Sequence, residues 1–231
     1  MLLDVEASNY ILRVHRTLPG EPLQLFDPYQ ALEAEATLVG VRGKAALCRV
    51  VAIRATTAIP RMPLILLQAF AKGDKVDRVV KEATALGVTA LVIVATQRSV
   101  VVVREDEGVH RRERWDKIAI EAARQCGRGD VPRIFGPLSL ADAILAASSS
   151  AEARVVLSPD GAQTLSAWFH AHPPCPLACF IGPEGGLEES ETALLVEAGY
   201  QAVRFTDFVL RTETAATAVL GAVAAWQLPQ R

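Results

Sequence analysis

From Leu64 onward, short apolar runs alternate with stretches of helical periodicity, and that alternation restricts the fold more than any other feature of the chain. Leu64–Phe70, Ala90–Ala95, Val131–Phe135, Ala153–Leu157, Leu177–Ile181 and Gln201–Phe205 read as strands. Between them, Asp74–Leu86 places Val76, Val79, Val80, Ala83 and Leu86 on one helical face and stops at Gly87. Arg111–Gln125 is seamed by Trp115, Ile118, Ala119 and Ala122. Leu140–Ala147, Leu187–Ala198 and the Ala-rich Thr212–Trp226 complete the helical set. Strands separated by helices need crossover connections, so the pattern predicts a parallel sheet in an α/β domain. Ligands of such a sheet bind at the carboxyl ends of its strands.

Residues 1–61 follow a different rule. Leu23–Phe26, Glu35–Val41 and Ala45–Ile53 are β-prone and are separated by Pro19-Gly20, Asp27-Pro28 and Arg42-Gly43, which predicts a small antiparallel barrel or sheet. Ala58–Pro63 reads as a linker, giving one domain over residues 1–61 and a second over 64–231. The start, Met1-Leu-Leu-Asp-Val-Glu, is acidic and unlike a signal peptide, and no apolar run reaches the roughly 18 residues of a membrane span, so a soluble cytoplasmic protein is expected. The four cysteines (48, 126, 175 and 179) make no disulfide framework. Cys175 and Cys179 lack zinc spacing to His170 and His172, which read as part of a Pro-rich loop, so no metal is expected. Net charge is −2, distributed as +1 over residues 1–61, +3 over 62–133 and −6 over 134–231. The front and middle can face a polyanion, and the acidic last third suits a cationic small molecule.

Two turns carry the chemistry. Ile181-Gly-Pro-Glu-Gly-Gly186 and Leu210-Arg-Thr-Glu-Thr-Ala215 each follow an apolar run and precede a helical pattern. The first has no Lys-Ser/Thr after its glycines and is not G-x-G-x-x-G, which disfavours a phosphate-rich nucleotide. A nucleoside held by backbone N–H and C=O groups fits better. The second packs a guanidinium, two hydroxyls and a carboxylate into four residues, more than the single cap that Thr212 can supply to a helix start.

With these turns stand Lys72-Gly-Asp-Lys75, Ala85-Leu-Gly-Val88, Arg98-Ser99, Trp115-Asp-Lys-Ile118, Glu121-Ala-Ala-Arg-Gln125 with Arg128, and Val131-Pro132. In this order and spacing the chain resembles the RsmE family of ribosomal RNA methyltransferases, in the SPOUT superfamily, over nearly its whole length. The resemblance implies methyl transfer from S-adenosylmethionine (SAM) to N3 of a uridine in 16S rRNA. It implies a SPOUT-type α/β domain with a C-terminal trefoil knot, which breaks the usual rule against threaded connections. It also implies a PUA-like RNA-binding barrel ahead of that domain and homodimerisation through the C-terminal domain. The cofactor-binding residues it implies are Leu157, Ser158, Ile181, Gly182, Pro183, Gly185, Gly186, Leu210, Thr212, Thr214 and Ala215. The chain departs from the family pattern in a short N-terminal region lacking the usual first strand. It has Tyr10 in place of a histidine, Gln97 in place of a glutamate, and Thr206 and Phe208 in place of a glycine and an arginine.

Uridine N3 attacks a methyl group only after losing its proton, so a base or cationic stabilisation of the uracil anion is required. Arg211 is the candidate for stabilising the uracil oxygens, and Glu184 or Glu213 for taking the proton. The plainer roles are an ion pair of Arg211 with Glu213 or Asp207, and a turn-stabilising role for Glu184. The N3 edge is used in base pairing, so the target is unpaired or flipped. Backbone grip on RNA is assigned to Arg13 and Arg16 in the small domain, to Lys72, Lys75, Arg98 and Arg128 in the large one, and to Gln125 near a helix end. Near-neutral charge favours rRNA in the assembled small ribosomal subunit over any polyanion. A non-catalytic assembly factor with this fold, and an α/β enzyme acting on a small nucleotide, are the other classes compatible with these residues.

Overall fold

The computed structural model describes residues 1–99 and 105–228, with residues 105–107 described through their backbone alone. The chain forms two compact units, Met1–Ile59 with Gly127–Asp130, and Pro60–Cys126 with Val131–Arg231.

In the small unit, α1 (Val5–Asn9) is capped by Asp4, whose carboxylate accepts from Ala7 N at 2.7 Å, and continues as one π-helical turn over Tyr10–Val14. Strands β1 (Pro22–Asp27), β2 (Leu32–Arg42) and β3 (Ala45–Ala55) form an antiparallel sheet in that order. Leu38 of β2 lies opposite Cys48 of β3, and with Ala36 and Ala46 they bury against Leu3 and Ile11. Residues 1–3 lie along β3, with Cys48 N donating to Met1 O at 2.9 Å and Leu3 N to Ala46 O at 3.1 Å. Residues 127–130, expected in the large domain, join this unit instead: Gly129 N donates to Ala58 O at 2.7 Å, and a side chain on Gly129 would meet Thr56 Oγ1 at 2.3 Å.

The large unit runs β4 (Leu64–Ala69), α2 (Lys75–Ala85), β5 (Ala90–Ala95), α3 (Glu105–Cys126), β6 (Arg133–Ser139), α4 (Leu140–Ser148), β7 (Ala153–Leu157), β8 (Gln163–Thr164), α5 (Leu165–Ala171), β9 (Leu177–Ile181), α6 (Glu189–Glu197), β10 (Gln201–Arg204) and α7 (Thr212–Gln227). Its seven strands lie in the order β6-β5-β4-β9-β7-β10-β8, and every neighbouring pair is parallel. Both faces are covered, which is why β4 and β9 are unbroken apolar runs apart from Gln68. Leu64, Leu66, Leu91, Ile93, Leu177 and Cys179 pack with α2, α3 and α7 on one face. Their period-two neighbours Ile65, Leu67, Val92, Val94, Ala178 and Phe180 pack with α4 and α6 on the other.

Three local expectations are corrected. The Pro-rich loop expected around His170 contains β8 and α5; Thr164 caps that helix by accepting from Ala167 N at 3.1 Å, and Leu165 and Trp168 are buried. His172 ends it with its ring stacked 4.1 Å from Trp168. Seven residues are too few for a periodic signal. Helix α3 reaches back past Arg111 to at least Glu105, and β6 extends from Arg133 to Ser139 rather than ending at Phe135. No helix among the described residues is long and apolar enough to cross a membrane.

Candidate functional site

Because the sheet is parallel and β9, β7 and β10 are adjacent, the turns that follow them open on one edge. After β9, Gly186 N donates to Pro183 O at 3.0 Å, closing a turn in which Gly186 has φ +73°, a conformation that disfavours any side chain. Arg98, just past β5, grips this turn: Nη1 donates to Gly185 O at 2.8 Å and Nε to Glu188 Oε1 at 2.7 Å. Glu188 and Glu191 form a reciprocal capping box at the start of α6. Glu191, 5% exposed, also accepts from Gln97 N at 2.8 Å, so the glutamine at position 97 contributes its backbone here.

The second turn is bound directly to the first. Thr212 Oγ1 donates to Gly182 O at 2.9 Å and accepts from Gln68 Nε2 at 2.8 Å. Thr212 could by its type supply a helix cap; its hydroxyl bonds the neighbouring turn instead, and Arg211 occupies the cap position without a side-chain bond. The third turn packs against β10. Ser158 N donates to Val203 O at 3.0 Å, and a Cβ on Gly161 would lie 2.6 Å from Val203 C and 2.7 Å from Arg204 N. Leu157, Ile181 and Leu210 supply apolar surface, with Ile181 and Pro183 buried and Leu157 and Leu210 half-buried. Thr214 is exposed and Ala215 buried on the first turn of α7.

Charge gathers at the same edge. Lys75 at the start of α2 pairs with Glu184. That hydrogen bond holds the Glu184 carboxyl below the usual carboxylate range, aided by the charge of Arg211. It likewise raises the Lys75 ammonium, which also feels Glu213. Arg211 is exposed and makes no ion pair with a described residue; Asp207 pairs with Arg204 at 2.6 Å. Glu213 Oε2 is buried without a partner among the described residues. Lys72, Lys75 and Arg98, with Phe70, Pro183 and Glu184, line a cavity of about 130 Å³.

Other expected RNA contacts are elsewhere. Arg13, Arg16 and Gln125 are exposed. Arg128 belongs to the small unit rather than the large one; its side chain is only 6% exposed, and Nε donates to Asp130 Oδ1 at 2.6 Å. Gln68 and Gly161 were missed. A lone polar residue in an apolar strand and a lone glycine in a short loop give no local signal, since their partners are 144 and about 40 residues away.

Residues 58–224 match the RNA methyltransferase domain family. Ribosomal RNA small subunit methyltransferase E of Mycobacterium bovis is 31% identical over 228 residues, spanning 96% of this chain and 85% of the relative. The Bacillus subtilis protein of the same name is 29% identical over 225 residues, spanning 94% and 87%. The crystal structure of ribosomal RNA small subunit methyltransferase E from Neisseria gonorrhoeae, bound to S-adenosyl methionine, superposes with a TM-score of 0.84 at 28% identity, covering 97% of this chain and 91% of that one. With its domain match, its relatives matched over more than nine-tenths of this chain and its turns gathered on one sheet edge, this chain belongs to the ribosomal RNA small subunit methyltransferase E family.

Proposed function

We propose that this protein transfers a methyl group from SAM to N3 of a uridine in 16S rRNA. The observation that carries the reading is the Thr212–Gly182 hydrogen bond, which joins two turns 30 residues apart into one site at the carboxyl edge of the sheet. The donor set suits the cofactor. The turns at Gly182–Gly186 and Leu210–Ala215 offer backbone N–H and C=O groups to an adenine and a ribose, and Leu157, Ile181 and Leu210 offer apolar surface to the ring. The acidic edge suits a sulfonium and an ammonium, and Glu213 Oε2, buried without a partner among the described residues, can accept from a donor on the ligand.

SAM supplies an electrophilic methyl, and the residues of this chain supply alignment and charge. Arg211, exposed and without an ion pair among the described residues, stabilises the developing negative charge on the uracil oxygens. Glu184 is a poor proton acceptor, because Lys75 already holds its carboxylate and lowers its basicity. Glu213 is the carboxylate open to that role. Lys72 grips phosphates on the large unit, and Arg13 and Arg16 do so, separately, on the small one.

The same reading includes a C-terminal trefoil knot of SPOUT type. It is supported by β10, which lies between β7 and β8 although only Ser158–Ala162 joins those two strands, and by Gly161 crossing the β10 backbone at contact distance. It also includes a PUA-like RNA-binding role for the small unit, a homodimer through the large one, cytoplasmic location, and rRNA presented in the small ribosomal subunit. Calorimetry with SAM and mass spectrometry of 16S rRNA from cells lacking the protein test the reading. A folded protein that binds no SAM, or an rRNA with every uridine methyl retained, refutes it. Arg211→Ala is expected to slow methyl transfer at least tenfold at saturating SAM while leaving SAM affinity within about threefold.

A further inference from the structure

We infer that Gln68, in the middle of the sheet, is a positioning residue that sets the spacing of the two cofactor turns through Thr212; this rests on the SAM-site reading above. Gln68 is fully buried in β4, a strand otherwise built of Leu, Ile and Ala. A polar side chain there carries a desolvation cost that only a specific set of hydrogen bonds offsets.

The polarity of those bonds is determined by two carbonyls. Ala69 O can only accept, so the Gln68 atom 3.0 Å from it is the amide nitrogen. The same nitrogen lies 2.8 Å from Thr212 Oγ1, so its second hydrogen goes there. Gly182 O, 2.9 Å from Thr212 Oγ1, can also only accept, so the hydroxyl hydrogen points to it. The relay runs one way: Gln68 amide to Thr212 hydroxyl to Gly182 carbonyl. Both amide hydrogens are used, and Gln68 Oε1 is left without a partner among the described residues. An apolar residue at position 68 would leave the hydroxyl without its incoming donor and free to rotate off Gly182 O. The Gly182 turn and the start of α7 would then lose their common anchor. Alignment of a methyl donor tolerates little such drift, since displacements near 1 Å can cost about a hundredfold in rate.

The test uses the full chain with Gln68→Met, which conserves volume without donors, together with Thr212→Val, the double variant, and Thr212→Ser, which keeps the hydroxyl. Hydrogen exchange without cofactor is read first. Gln68→Met is expected to speed exchange in peptides covering Gly182–Leu187 and Arg211–Ala215, with a cooperative melt retained. SAM affinity is read second. Gln68→Met and Thr212→Val are each expected to weaken it about tenfold, the double variant no further than either single, and Thr212→Ser less than threefold. Exchange that changes only around β4, or not at all, overturns the inference whether or not SAM binds. So do losses that multiply to about a hundredfold in the double variant. A wild-type chain that binds no SAM counts against the proposed function, and the exchange data then decide the inference alone.

Discussion

Gly161→Ala is the substitution whose consequence is most directly computable from the fold. Its Cβ would sit 2.6 Å from Val203 C, 2.7 Å from Arg204 N and 2.9 Å from Val203 Cα. All three are backbone atoms of β10, so no side chain can rotate away. Restoring a tight but tolerated separation of about 3.4 Å requires a shift of roughly 0.8 Å in a strand paired on both sides, or in the Ser158–Ala162 loop. Overpacking of this kind costs about 1–3 kcal/mol. For a unit of this size about 2 kcal/mol lowers the melting temperature by roughly 4–8 °C. The shift also strains the 3.0 Å Ser158 N to Val203 O bond beside the expected adenine surface, so SAM binding should weaken by about tenfold. Gly221→Ala is the control: its Cβ meets nothing within 4 Å in α7, and higher helix propensity should raise stability by about 0.5–1 kcal/mol. Circular dichroism melts and calorimetry measure both. Gly161→Ala melting within about a degree of wild type, with wild-type SAM affinity, would refute the close approach of loop and strand.

Three further outcomes are expected. Tyr200→Phe should be neutral or stabilising by up to about 1 kcal/mol, because the Tyr200 hydroxyl is buried without a partner among the described residues; a melting point several degrees lower would show a hidden bond. The Lys75–Glu184 pair should stabilise between the two titrations. Glu184 is lowered from 4.5, so its contribution is present above the usual carboxylate range and lost as pH falls through the lowered value. Lys75 is raised from 10.5, so its contribution is present below that pH and lost as pH rises through the raised value. The melting difference between wild type and Lys75→Met should therefore be flat from about pH 5 to 10, shrink outside that window and shrink with salt, and a difference independent of both would contradict the pairing. Cys179, whose thiol burial pushes up to about 12, should resist alkylation in the native state while exposed Cys126 reacts; equal rates would place β9 nearer solvent than its fully buried side chains indicate.

Local sequence determined most strands and helices of this protein, because each is written within a window of its own length; β8 and the seven-residue α5 are too short to be. The apolar run Leu177–Ile181, the stripe Val76-Val79-Val80-Ala83, and Gly87 and Gly199 at helix ends identify their elements without any partner. The two marked turns were visible for the same reason: a dense set of glycines or hydrogen-bonding side chains departs from what a plain connection needs. The tertiary structure decided everything that depends on which strand lies beside which. Inserting β9 between β4 and β7, and β10 between β7 and β8, is what brings Thr212 to Gly182, Gln68 to Thr212 and Gly161 to Val203. It also withdrew Arg128 into the small unit and gave Glu184 to Lys75, changing roles that residue type alone suggested. Strand order is selected by the burial of both sheet faces at once, a sum over contacts far apart in the chain. No window short enough to show periodicity contains that sum.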